Sequence, residues 1–161
     1  MSMADFEVRA NNILTAIGVS HSRIQQFGYT DDPAEEAVSR IYGMFVTWLT
    51  ACEESRLGGP FSKVVLSALP SNDDPAWPSF IEPKPSSTLK ERASALWGIR
   101  VAFTHGDGDL SLISSAANRA YAQDAYKHLP GIAVVGNRVA LFPHISHNAI
   151  RTIVQLHSVL P

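Results

Sequence analysis

Thr88-Leu-Lys-Glu-Arg-Ala-Ser-Ala-Leu-Trp-Gly-Ile-Arg-Val-Ala-Phe-Thr-His-Gly-Asp-Gly-Asp109 is the stretch around which the rest of the chain is read. Thr88 and Glu91 are spaced as a capping box, in which each side chain satisfies a backbone N–H that a helix start leaves without a partner. Gly106 and Gly108 follow His105, and glycine just past the last periodic residue is expected to supply the left-handed backbone that ends a helix. Between these signals Leu89, Ala93, Leu96 and Phe103 recur at helical spacing, which predicts one apolar, buried face. Arg100 falls on that face. A guanidinium keeps its charge and is costly to desolvate alone, so Arg100 must meet an anion from this chain, another chain or a ligand. Asp107, Asp109 and Glu91 are the carboxylates within reach along the sequence.

Upstream, Asp5 to Phe27 reads as helical with a weak point at Gly18: Phe6, Ala10, Ile13, Leu14 and Ile17 form a stripe that Ile24 and Phe27 resume, giving one bent helix or two short ones. Asp32 and Pro33 mark a helix start, with Glu35 and Glu36 at the positive end of its dipole. Ala37, Ile41, Met44, Phe45, Trp48, Leu49 and Cys52 keep the helical period until Leu57-Gly58-Gly59-Pro60 stops it, a rod of roughly 35 Å. A shorter helix is expected after Pro60, with Val64, Val65 and Leu69. Pro70 to Ser87 holds five of the ten prolines, and Trp77 and Phe80 are expected to pin it to the body as an ordered surface loop.

Downstream, Ser115 to His128 is expected to be a helix stopped by Pro130-Gly131. Ala120, Tyr121, Ala125 and Leu129 are its packing residues, and Arg119, Gln123 and Lys127 lie on its exposed side. Residues 132–142 read as a β-hairpin, because two β-favouring runs flank Gly136-Asn137. Ile145, Ala149, Ile153, Leu156 and Leu160 mark a terminal helix. The expected architecture is mainly α: a helical bundle with one small β-hairpin near the C-terminus, forming a single domain over residues 1–161.

Composition narrows the function classes. Apolar residues make up 45% and charged ones 17% of the 161 residues, a balance that fits a globular domain rather than a disordered chain or a coiled coil. No apolar run is long enough to span a bilayer, and the first residues lack the pattern of a signal peptide, so a cytoplasmic protein without a membrane partner is expected. Cys52 is the only cysteine; it provides neither a disulfide nor a cysteine zinc site and is most simply a small core residue. The net charge of −2 gives no general basic field, so any nucleic-acid binding must come from a local patch.

The strongest constellation is Arg100 followed by His105 where the helix ends. Comparable arginine–histidine spacings occur at Arg138 with His144 and at Arg151 with His157, so the spacing alone decides nothing. Arg138 belongs to the hairpin turn, where a solvated cation is expected, while Arg151 and His157 point apart on one helix. Arg100 and His105 alone combine a buried-face arginine, a helix terminus and a polar glycine loop. Five helical positions rotate their side chains about 140° apart, so they meet only at a frayed helix end or across a two-fold axis between two chains. The competing expectation is structural, with Arg100 bridged to Asp107, Asp109 or Glu91 and His105 capping the helix. His144 and His147 have no evident third ligand and read as surface histidines, and no metal or cofactor is expected. Gly106-Asp-Gly-Asp lacks the features of a dinucleotide or calcium loop and reads as a helix stop.

The stretch Leu96-Trp-Gly-Ile-Arg-Val-Ala-Phe-Thr-His-Gly-Asp-Gly108 resembles the HEPN family (higher eukaryotes and prokaryotes nucleotide-binding). Its members are compact helical bundles with an Arg-x4–6-His motif near the end of a core helix, matched here by Arg100 and His105. The resemblance implies a homodimer whose two motifs face each other and form one metal-independent ribonuclease site of the toxin or defence type, with RNA or a nucleotide as ligand. Val101 stands where many active members have a polar residue directly after the arginine. Asp107 stands where members that pair with a nucleotidyltransferase antitoxin often have tyrosine, so that regulation is not carried over; a cognate antitoxin remains among the implied partners. Arginine and histidine suit the chemistry, since RNA supplies its own 2′-hydroxyl nucleophile and the site must move protons and stabilise phosphoryl charge. A non-catalytic dimerising module that binds RNA, a nucleotide or a protein is the alternative.

Overall fold

The computed structural model describes residues 3–26, 32–71 and 86–161. Phe27 and most of the expected Pro70–Ser87 loop, with Trp77 and Phe80, lie outside them. The described chain is mainly helical with one antiparallel hairpin near its C-terminus, as the patterning predicts. Helix α1 spans Met3–Gln26 and runs as one element through Gly18; α2 spans Asp32–Leu57. The short helix expected after Pro60 is a single π-turn, Ser62–Leu66.

Helix α3, Leu89–His105, is the centre of the fold. Its capping box forms as predicted: the Glu91 N–H donates to Thr88 Oγ1 at 3.3 Å, and the Thr88 N–H donates to Glu91 Oε2 at 2.8 Å. Burial, however, is not confined to one face. Besides Leu89, Ala93 and Leu96, the buried residues include Arg92, Ala95, Gly98, Ile99, Val101 and Ala102. The alanines and glycine between the larger side chains let neighbours approach from several sides, and α2, α4 (Ala116–Asp124) and α5 (Ile145–Val159) all pack on α3. A Cβ on Gly98 would stand 2.2 Å from the Tyr121 carbonyl oxygen, and one on Gly43 would stand 2.4 Å from the Phe103 ring.

That backbone approach corrects one expectation. Helix α4 meets α3 through its main chain at Tyr121, so Ala122, Ala125 and Leu129 are buried while Ala120 and Tyr121 stay exposed. Beyond Asp124 the helix tightens into a 3-10 turn, Ala125–Lys127. Helix α5 matches its predicted stripe: Ile145, Ala149, Ile153 and Leu156 are fully buried, and Leu160 is partly so.

The end of α3 also differs from expectation. Gly106 is not left-handed, with φ −127°; Asp107 (φ 52°) and Gly108 (φ 86°) are. They are the two central residues of a turn closed by the Asp109 N–H on the Gly106 carbonyl at 2.7 Å. Two successive positive φ values define a type I′ turn, for which Asp-Gly is a favoured pair. Gly106 is required for a different reason, since a Cβ there would lie 2.4 Å from the Asp109 carbonyl oxygen.

The hairpin, β1 (Ile132–Val135) and β2 (Arg138–Leu141), pairs Ile132 with Leu141 and Val135 with Arg138 around Gly136-Asn137. Two strands alone are marginal in water. Here the other edge of β2 is also occupied: the Val139 N–H donates to the Gly108 carbonyl at 2.9 Å, and the Leu110 N–H to the Asn137 carbonyl at 2.7 Å. The Leu141 N–H donates to Ser39 Oγ on α2 at 3.1 Å. The hairpin thus anchors the turn that follows His105.

Candidate functional site

Arg100 meets its anion on α2. Its Nη1 lies 2.8 Å from Glu54 Oε1 in an ion pair and donates to Thr50 Oγ1 at 3.4 Å, and its guanidinium carbon lies 5.3 Å from the centre of the Trp97 ring. Trp97 stacks on Phe61 at 6.1 Å, and the Phe61 N–H donates to the same Glu54 oxygen at 2.8 Å. The surface of α2 explains the fit: Gly43, Thr47, Thr50 and Glu54 form a stripe of small or polar residues at helical spacing. Gly43 admits Phe103, and Glu54 reaches Arg100. Both the Arg100 and Glu54 side chains keep 23% of their exposure.

None of the three expected carboxylates serves Arg100. Glu91 is taken up in the capping box, and Asp107 pairs with Arg40 at 2.7 Å. Asp109 accepts from the Ser111 N–H and hydroxyl at 2.9 and 2.6 Å, bonds that hold its carboxyl below the ordinary range. Glu54 is 46 positions away in sequence, so no local spacing marks it; the small-residue stripe on α2 was the available signal. The fully buried arginine of α3 is not Arg100 but Arg92, which donates to the Ser87 carbonyl and to Gln155 Oε1. Arg151 is buried as well.

His105 is the last residue of α3 and is exposed; it makes no side-chain hydrogen bond or ion pair with the described residues. The helix does not fray before it, because the Gly106 N–H still donates to the Ala102 carbonyl at 3.0 Å. Arg100 and His105 therefore share an end of one helix but not a face, and no shared partner among the described residues joins them. Of the two ways they were expected to meet, the frayed end does not occur. Val101 is 1% exposed and belongs to the core, so the position after the arginine is turned away from solvent. Only Nη1 of Arg100 is engaged: Nε and Nη2 have no hydrogen-bond partner among the described residues. Two donors on a partly exposed guanidinium can still form a fork for a phosphoryl group.

The remaining candidates settle differently. Arg138 is not simply solvated, because it pairs with Glu36. His144 and His147 are exposed at the start of α5, and no metal-holding group of three or more ligands occurs among the described residues. His157 points towards α2 and bonds Glu53 through Nε2.

That last contact belongs to a cluster the sequence reading did not find. Glu53 is fully buried and accepts from Arg56 Nε at 3.2 Å and Nη2 at 2.8 Å as well as bonding His157, while Arg56 Nη1 donates to the Leu160 carbonyl at 2.5 Å. Burial alone would raise the Glu53 pKa, but the hydrogen bonds and charges of His157 and Arg56 outweigh it and hold the carboxyl below its ordinary value. Neighbouring Cys52 is only partly buried; burial first, and then the Glu53 charge, push its thiol up, against an opposing effect of Arg9. A thiol held protonated is a poor nucleophile.

Comparison of the chain with models of protein families, with curated proteins and with solved structures finds no match. No helix among the described residues is long and apolar enough to cross a membrane.

Proposed function

We propose that this chain is an HEPN-like endoribonuclease of the toxin or defence type that cuts single-stranded RNA at a site shared by two copies, without a metal. The observation that carries the reading is the state of Arg100. Its guanidinium is fixed in place through one nitrogen, by Glu54 and Thr50, and keeps Nε and Nη2 for an anion. His105 stands exposed at the end of the same helix with its ring uncommitted, about 140° round the axis, so a second copy is needed to set an imidazole opposite a guanidinium.

In such a site the RNA 2′-oxygen attacks the adjacent phosphorus as one His105 accepts its proton. The bond to the 5′-oxygen breaks as the other His105 donates a proton to it, leaving a 2′,3′-cyclic phosphate and a 5′-hydroxyl. The Arg100 forks hold the two non-bridging oxygens, on which charge develops.

Incubation of purified protein with single-stranded RNA in EDTA tests this. Cleavage with cyclic phosphate ends is expected to persist, and to fall by about a hundredfold or more in Arg100→Ala and in His105→Ala. Loss of cutting in EDTA, or full activity in both variants, overturns it. The Arg100–Glu54 ion pair favours a second reading, a non-catalytic HEPN-like module that dimerises and binds RNA, a nucleotide or a protein, with Arg100 serving chiefly to tie α3 to α2. Wild-type protein that binds RNA but never cuts it, with binding unchanged in both variants, would establish that reading in place of the first.

A further inference from the structure

We infer that the Arg40–Asp107 ion pair is a latch that fixes the exit of α3, making Arg40 and Asp107 positioning residues for His105. The catalytic consequence rests on the ribonuclease reading; the latch itself does not. Asp107 is the sole non-glycine residue with positive φ among those described, at 52°. It sits two positions after His105, in a turn wrapped on the Ala102 carbonyl, which accepts from both the Gly106 N–H at 3.0 Å and the Gly108 N–H at 2.9 Å. Beyond it the chain is hydrogen-bonded to the hairpin, Gly108 to Val139 of β2 and Leu110 to Asn137 of the hairpin turn.

Across the gap, Asp107 Oδ2 meets Arg40 Nη2 at 2.7 Å. Arg40 also lies 3.6 Å from Glu36, and Glu36 pairs with Arg138 of β2. Asp107, Arg40, Glu36 and Arg138 therefore form one chain of alternating charge that joins the turn, α2 and the hairpin. The Arg40 and Asp107 side chains are 46% and 61% exposed, and a pair so exposed adds little to global stability. What it can do is local. It bridges segments 67 positions apart at the one residue whose backbone is least favourable for an L side chain, and so selects one geometry for the turn behind His105. The alternating signs leave no net positive patch, which argues against these arginines serving as a phosphate track.

The test separates local order from folding and from RNA chemistry. Asp107→Asn keeps a side chain that tolerates left-handed backbone and removes the charge; Arg40→Ala removes the partner, and Arg40→Lys restores a cation. In Asp107→Asn and Arg40→Ala, amide exchange over 105–109 is expected to quicken about fivefold and the His105 imidazole resonances to shift, with the melting temperature nearly unchanged. Arg40→Lys should recover most of the protection, and 1 M salt should reproduce the loss in the wild type. If the wild type cuts RNA, kcat should fall in both charge-removing variants while KM holds. Unchanged exchange and unchanged His105 resonances overturn the latch, whether or not RNA is cut. A failure of RNA cleavage alone, with exchange altered as expected, overturns the ribonuclease reading and leaves the latch standing.

Discussion

Glu53 and Glu54 are neighbours on α2, about 100° apart round the helix, and they end in opposite circumstances. Glu53 points towards α5 and has no exposure; two side chains, Arg56 and His157, surround its carboxylate. Glu54 points towards α3, keeps 23% of its exposure, and shares one oxygen between the Arg100 guanidinium and the Phe61 N–H. The first is a sealed junction between helices. The second is open at its edge, and there the Arg100 guanidinium has no hydrogen-bond partner for Nε and Nη2 among the described residues. The difference separates two roles: a buried carboxylate with both oxygens hydrogen-bonded holds the fold, whereas a partly exposed ion pair can hold a cation ready for a ligand.

The largest predicted effect follows from the sealed side. Glu53→Gln removes the buried charge that balances Arg56 beside the partly buried His157, and breaking such a pair costs about 3 kcal/mol, measured as a drop in unfolding free energy in urea. Acid should do the same to the wild type. Because the folded carboxyl sits below its ordinary value of 4.5, unfolding at low pH takes up protons; the stabilisation is fully present above that value and is lost as the pH falls through the lower folded one. A flat stability profile from neutral pH down to about 3 would erase the contrast with Glu54.

On the open side Glu54→Gln is expected to cost less, about 1 kcal/mol, since water reaches the pair and glutamine can still accept from the Phe61 N–H. Its sharper effect should be on Arg100, which loses the anchor of Nη1. RNA cleavage should fall even though neither proposed reacting group has changed. A Glu54→Gln variant that destabilises as much as Glu53→Gln would mean that Arg100 and Glu54 are as structural as their buried neighbours, and would favour the non-catalytic reading.

How much of this was legible beforehand depends on the range of each interaction. The capping box at Thr88, the Gly136-Asn137 hairpin and the α5 stripe are local, so spacing alone revealed them. The number of buried faces on α3 was not legible, because alanine and glycine carry too weak a hydrophobic signal to show that two more helices pack against them. The site was read in halves: Arg100 needs an anion, but Glu54 supplies it from 46 positions away, and a long-range ion pair has no periodic trace. Likewise, nothing local separates Glu53 from Glu54, although a single helical step of about 100° sends one into the core and the other to the rim.

The smallest predicted effect is the most discriminating. His105 is exposed and its side chain makes no hydrogen bond, ion pair or ring contact with the described residues, so His105→Ala should change the unfolding free energy by no more than about 0.5 kcal/mol. A cation near the negative end of the α3 dipole is favourable, but at the surface that contribution is screened. A variant silent in stability yet dead on RNA would separate the imidazole from the fold in a way no change at Arg100 can, because Arg100 is tied to Glu54 and any substitution there alters both. If His105→Ala instead costs as much as Glu54→Gln, the imidazole is holding the helix end, and the open edge beside Glu54 must be explained by a partner that needs the arginine alone.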